Sequence, residues 1–135
     1  IEKSKLLKID TDGFDIKIVR GGLRYIENIK PIIFLEYDTV FFDEQGYSGI
    51  PTLLQLENMG YEDIIFYDNL GKLILSTKLS EHMILKQMNN LIDPKERTPF
   101  PYYDLVIFHK EDTDIAQSFI NKEMKLFYND KFYAK

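Results

Sequence analysis

Apolar residues along this chain fall into short continuous runs joined by segments of helical period, and that alternation sets the expected elements. Residues 4–10 form a short apolar run ending in an acid and predict a strand. Thr11, Asp12 and Gly13 then turn the chain. Phe14, Ile18, Val19, Leu23 and Ile26 recur at helical spacing, with Thr11 or Asp12 placed to cap the helix. Gly21 and Gly22 should break or bend it. Residues 31–37 are hydrophobic without alternation, the mark of a strand buried on both faces, as in a parallel sheet. Strand, helix and strand in this order predict a right-handed βαβ unit.

Residues 38–50 are polar and aromatic and read as a loop. Pro51 suits the first position of a helix with Leu53, Leu54, Leu56 and Met59 on its apolar face, ended by Gly60. Residues 63–67 and 72–76 read as the two strands of a hairpin, joined by the tight turn Asp68-Asn69-Leu70-Gly71. Residues 80–83 open a helix that presents Ile84, Leu85 and Met88. Residues 89–101 read as a loop with three prolines, and residues 102–109 as a last, strongly apolar strand. Asp112 and Thr113 are placed to cap a final helix carrying Ile115, Phe119, Ile120 and Met124. The expected architecture is α/β, a three-layer arrangement with no internal repeat and no linker dividing residues 1–135.

Composition narrows the partners. With 44% hydrophobic and 29% charged residues, the 135-residue chain can bury a core beneath a solvated surface. Its net charge of -5 argues against nucleic acid, whose phosphates would repel it, and against a polybasic membrane anchor. No cysteine is present, which excludes a disulfide scaffold, a Cys-based zinc site and a cysteine nucleophile, and which fits a cytoplasmic location. No apolar run approaches the roughly 18 residues of a membrane span.

The densest signal is Leu6-Leu7-Lys8-Ile9-Asp10-Thr11-Asp12-Gly13-Phe14-Asp15, followed by Val19-Arg20-Gly21-Gly22. It resembles the FkbM methyltransferase signature: a hydrophobic strand ending Lys-Ile-Asp, an acid-Gly-aromatic step, then a helix and glycine. The resemblance continues through Pro31-Ile32-Ile33-Phe34-Leu35-Glu36, Gly60-Tyr61 and the turn from Asp68 to Gly71. It implies a Rossmann-like methyltransferase sheet in which the strand at 102–109 runs antiparallel to that at 31–37. It also implies S-adenosylmethionine as the methyl donor and an O-linked acceptor on a sugar or related small metabolite. The family's donor-binding Gly-rich loop has no counterpart here, and residues 5–10 match the family's fourth strand. The expectation is therefore that 1–135 is the C-terminal portion of one such domain, with the donor-binding N-terminal half as its partner. That half should pair with the apolar edge of residues 4–10, and this portion alone should bind the donor weakly.

The candidate chemistry is carboxylate chemistry. Ligands of open α/β sheets sit beyond the carboxyl ends of the strands. Asp10 and Glu36 end consecutive strands and so are the candidate catalytic residues, with Asp12 close by. A carboxylate serves as general base for an acceptor hydroxyl. Alternatively Asp10, Asp12 and Glu36 hold a divalent metal such as magnesium, which lowers the hydroxyl's pKa. The structural reading of Asp10 and Asp12 is a turn and a cap. An EF-hand reading of the same stretch fails, because it puts Lys8 at the first ligand position and Val19 at the last. His82 and His109 read as structural. The stretch with Lys122, Lys125, Phe127, Tyr128, Lys131, Phe132 and Tyr133 reads as an amphipathic helix and tail. The alternative to an enzyme is a non-catalytic methyltransferase-like module used for assembly, and homo-oligomerisation stays open.

Overall fold

The computed structural model describes residues 4–46, 48–93 and 101–127. Most of the expected 89–101 loop and the tail positions Tyr128, Lys131, Phe132 and Tyr133 lie outside them. β1 (Leu6–Ile9) and β2 (Ile32–Tyr37) pair in parallel, Leu6 opposite Ile32 and Ile9 opposite Leu35. Between them the helix divides where the paired glycines predict, into α1 (Asp15–Gly21) and α2 (Leu23–Ile29). The buried face differs from the expected one. Ile16, Val19 and Ile26 are buried, while Phe14 and Ile18 are exposed. Phe14 flanks the helix rather than belonging to it, so the face begins two residues later.

The capping expectation is also corrected. Phe14 holds the cap position with no side-chain hydrogen bond. Instead Asp15 reaches back: its Oδ2 accepts from the Thr11 hydroxyl at 3.1 Å and from the Gly13 N–H at 3.3 Å. Asp12 has left-handed backbone (φ 50°), which an aspartate tolerates in a turn.

The segment expected as a loop contains a helix, α3 (Thr39–Glu44). Asp38 caps it, accepting from the Val40 N–H at 2.9 Å. α4 (Gly49–Asn58) begins two residues before Pro51 and buries Thr52, Leu53 and Leu56. Gly60 (φ +93°) ends it, as expected. β3 (Tyr61–Asp68) and β4 (Leu73–Lys78) form the hairpin. In its turn, Asp68 Oδ1 accepts from the N–H groups of Leu70 (2.9 Å) and Lys72 (2.8 Å). α5 (His82–Leu91) follows, then β5 (Tyr103–His109). A 3-10 turn (Lys110–Asp112) leads into α6 (Thr113–Phe127). Thr113 donates to the Lys110 carbonyl at 2.9 Å, while the buried Asp112 pairs with Lys5 at 2.9 Å and so ties this junction to the start of β1.

The strand order is β1-β2-β5-β3-β4, with β5 antiparallel to both β2 and β3. The parallel β1–β2 pair and the antiparallel last strand agree with what the resemblance implies. The larger core lies between the sheet and α1 to α5, where Ile33, Leu35, Leu105 and Ile107 meet Val19, Ile26, Leu53, Leu56 and Leu85. The other face carries α6, whose Ala116 and Ile120 pack with Ile65, Tyr67, Val106 and Phe108. Here β2 departs from expectation. Ile33, Leu35 and Tyr37 are buried, but Ile32, Phe34 and Glu36 are only half-buried. α6 packs on β3, β4 and β5, so β2 meets it only at the flank.

Candidate functional site

β1, β2 and β3 run in the same direction, so their carboxyl ends define one end of the sheet. The chain is pinned there by close packing. Gly13 (φ +108°) presses against Phe41 of α3, and a Cβ on it would lie 2.6 Å from the ring. Gln45 at the far end of α3 donates to the Gly13 carbonyl at 2.7 Å. Gly49 at the start of α4 lies against Tyr37, where a Cβ would come within 2.3 Å of the ring. Tyr37 in turn donates to Asn89 Oδ1 at 2.6 Å, and Thr39 to the Ile92 carbonyl at 2.8 Å. The loops after β1 and β2 are thereby fastened to each other and to α5.

This frame brings Asp10 and Glu36 to adjacent strand ends, since Ile9 sits opposite Leu35 in the parallel register. Glu36 is half-buried and directly faces Asp104 of β5. Its carboxyl is pushed up to about 7, first by burial and then by the charges of Asp15, Asp10, Asp104 and Asp38. Asp104 is pushed up as well, by burial and by Asp10. Asp10 is exposed and pairs with Lys8 at 3.2 Å. Asp12 is exposed on the turn. Among the described residues, no group of three or more His, Cys, Asp or Glu side chains is arranged to hold a metal ion.

Two functional candidates escaped the sequence reading. Asp104 lies within an apolar strand, and only the antiparallel register reveals that it faces Glu36. Asp15 belongs to the Asp-Gly-Phe-Asp step but reads there as an ordinary first-turn acid. It is in fact fully buried, with Oδ1 lacking a hydrogen-bond partner. Each histidine has a partner within the protein. His109 is buried, accepts from the Glu111 N–H at Nδ1 (3.1 Å) and meets the Met59 carbonyl at Nε2 (3.2 Å). His82 pairs with Glu57 at 2.6 Å on the surface.

A cavity of about 620 Å³ lies at the opposite end of the sheet, lined by Gly60, Tyr61, Lys78, Ser80 and Lys110 among others. Two of its charged groups are paired: Lys78 holds Asp63 at 2.7 Å and Glu57 holds His82. The crowded carboxylates at the carboxyl end, where open α/β sheets bind ligands, mark the better candidate site.

The fold is α/β with a mixed five-stranded sheet, compatible with a Rossmann-like methyltransferase. Residues 1–62, a little under half of the chain, match the family model described as Methyltransferase FkbM domain, from β1 to the start of β3. No curated protein and no solved structure matches the chain significantly. No helix among the described residues is long and apolar enough to cross a membrane.

Proposed function

We propose that this chain forms the acceptor side of an S-adenosylmethionine-dependent O-methyltransferase, with Glu36 as the general base and a hydroxyl of a sugar or related small metabolite as the acceptor. The observation that carries this reading is the position of Glu36 at the carboxyl end of β2, inside the segment that matches the FkbM domain. A base with its carboxyl at about 7 is matched to proton transfer near neutral pH. Glu36 would take the proton of the acceptor hydroxyl and become a carboxylic acid as the oxygen bonds the methyl carbon and the donor's sulfur–methyl bond breaks, its electron pair leaving on sulfur as a neutral thioether. Asp10, on the neighbouring strand end, favours orientation of the acceptor through its oxygens.

The turn after β1 offers little room for a donor. The one glycine of the β1–α1 turn, Gly13, is packed by Phe41, so a ligand cannot approach its backbone. We propose that the donor is held by residues outside this sequence, in a portion of the domain that pairs with the free edge of β1. Leu6 on that edge strand is 57% exposed, which an ordinary protected edge avoids. The test is a methyl-transfer assay of the protein against a panel of hydroxylated acceptors, with Glu36→Gln beside the wild type. Full activity of that variant overturns the assignment of the base. Calorimetric titration of the chain with S-adenosylmethionine should show weak binding or none, and micromolar binding would show that the donor site lies within it.

A further inference from the structure

We infer that the acceptor is a cyclic sugar and that Tyr102 is the wall against which its ring lies, with one hydroxyl directed to Glu36. The strand faces carry the inference. On β5, Tyr103, Leu105 and Ile107 belong to the core shared with α1 to α5, whereas Val106 and Phe108 belong to the core under α6. Side chains alternate along a strand, so Asp104, and Tyr102 leading into it, stand on the α6 face. On β2, Ile33, Leu35 and Tyr37 take the first face and Phe34 packs on the second, which puts Glu36 on the α6 face as well. Glu36 is the direct partner of Asp104, so Tyr102 lies on the diagonal from Glu36. Diagonal neighbours are about 7–8 Å apart, within reach of an aromatic side chain. The placement agrees with the state of the Tyr102 hydroxyl, which burial and then the charges of Glu36, Asp104, Asp10 and Asp38 hold above the usual range.

Tyr102 is half-buried, and among the described residues no aromatic ring or cation packs on it. Its aromatic neighbours on this face are already occupied. Phe34, two residues before Glu36, carries the Lys8 ammonium 5.6 Å from its ring centre. Tyr67 is enclosed with Ala116 beneath α6. An open aromatic ring beside carboxylates matches the chemistry of a pyranose. The C–H-bearing face of that ring is apolar and packs on an aromatic face, while its hydroxyls donate to carboxylates. Asp104 and Glu36 are those acceptors, on the same face as Tyr102. An open-chain polyol offers the hydroxyls without the apolar face, so Tyr102 would select the ring.

This rests on Glu36 lying at the acceptor site of the proposed transfer. The experiment is saturation-transfer NMR of the chain with the methyl glycosides of glucose and galactose as probes, sorbitol as the open-chain control and no methyl donor present. Saturation should reach the C–H protons on one face of the glycoside ring, and sorbitol should bind more weakly. Tyr102→Ala should weaken glycoside binding about tenfold, the worth of one aromatic contact. Tyr102→Phe, which keeps the ring, should bind as the wild type does. Tyr102→Leu provides a second variant without the ring should Tyr102→Ala fail to fold. Wild-type binding that is absent, or no tighter than that of sorbitol, overturns the inference. So does a folded variant without the ring that binds like the wild type, or Tyr102→Phe binding as weakly as Tyr102→Ala. Binding is read without turnover, so an absence of methyl transfer would overturn the proposed reaction and leave the sugar contact standing.

Discussion

The two ends of the sheet each bury titratable groups, and they treat them in opposite ways. At the amino end of β3, His109 is enclosed, and both ring nitrogens have backbone partners on Met59 and Glu111. Gly60 beside it has no side chain because a Cβ would stand 2.7 Å from the imidazole Nε2. Every polar atom of that ring is satisfied, so its burial stabilises the join between α4, β3 and β5. At the carboxyl end, Glu36 is half-buried among Asp10, Asp15, Asp38 and Asp104, whose charges all raise its pKa. The like charges around Glu36 oppose folding, although Asp15 and Asp38 themselves hold the turn before α1 and the start of α3. Buried groups with complete partners serve architecture, whereas a carboxyl held among like charges marks a candidate functional site.

The comparison breaks most visibly at Glu36. Glu36→Gln is near-isosteric, so the fold should persist while turnover falls by about 10²–10⁴-fold, the usual worth of a general base. Asp10→Asn should also lower turnover, by less, because Asp10 is exposed and already paired with Lys8. Steady-state rates of both variants decide the order. His109→Ala should do the reverse. It strips two backbone groups of their partner and leaves a cavity, for a loss of about 3 kcal/mol in a urea unfolding experiment. Turnover of the protein that remains folded should not change.

Gly49→Ala sharpens the contrast from the packing side. The added methyl overlaps the Tyr37 ring, so a loss of about 1–3 kcal/mol is expected from overpacking. Because Tyr37 adjoins Glu36, this variant should lose turnover as well as stability, unlike His109→Ala. The smallest effect is the pH dependence of stability. Glu36 binds its proton more tightly in the folded protein than when unfolded, so it favours the folded state at low pH. That contribution disappears as the pH rises from 4.5 through about 7. Glu36→Gln should therefore be more stable than the wild type at pH 8 and indistinguishable from it at pH 4. Paired urea titrations at the two pH values measure this, and equal midpoints at pH 8 would show that Glu36 is not perturbed.

Local patterns determined much of this protein. The runs at 32–37 and 103–109 are strands because β-branched and aromatic residues crowd there, the run at 6–9 is a short apolar stretch bounded by a turn, and the helix divides at Gly22 because paired glycines cannot sustain it. The turn from Asp68 to Gly71 follows from its own side chains, with Asp68 accepting from two backbone groups and Gly71 adopting positive φ. The placement of Asp10 and Glu36 at neighbouring strand ends was legible too, because a short crossover dictates parallel pairing.

Tertiary structure decided the rest. α3 was invisible in the sequence because Thr39–Glu44 is too short to show a period and is held by contacts distant in the chain, Phe41 on Gly13 and Thr39 on Ile92. The half-burial of Glu36 depends on where α6 comes to lie, which no local pattern records. Asp104 became a neighbour of Glu36 only when β5 entered between β2 and β3. A pKa depends on burial and on charges within a few ångströms regardless of their separation in sequence, so the state of Glu36 was settled by its burial, by Asp15 and Asp10 beside it, and then by Asp104 from a strand nearly seventy residues away.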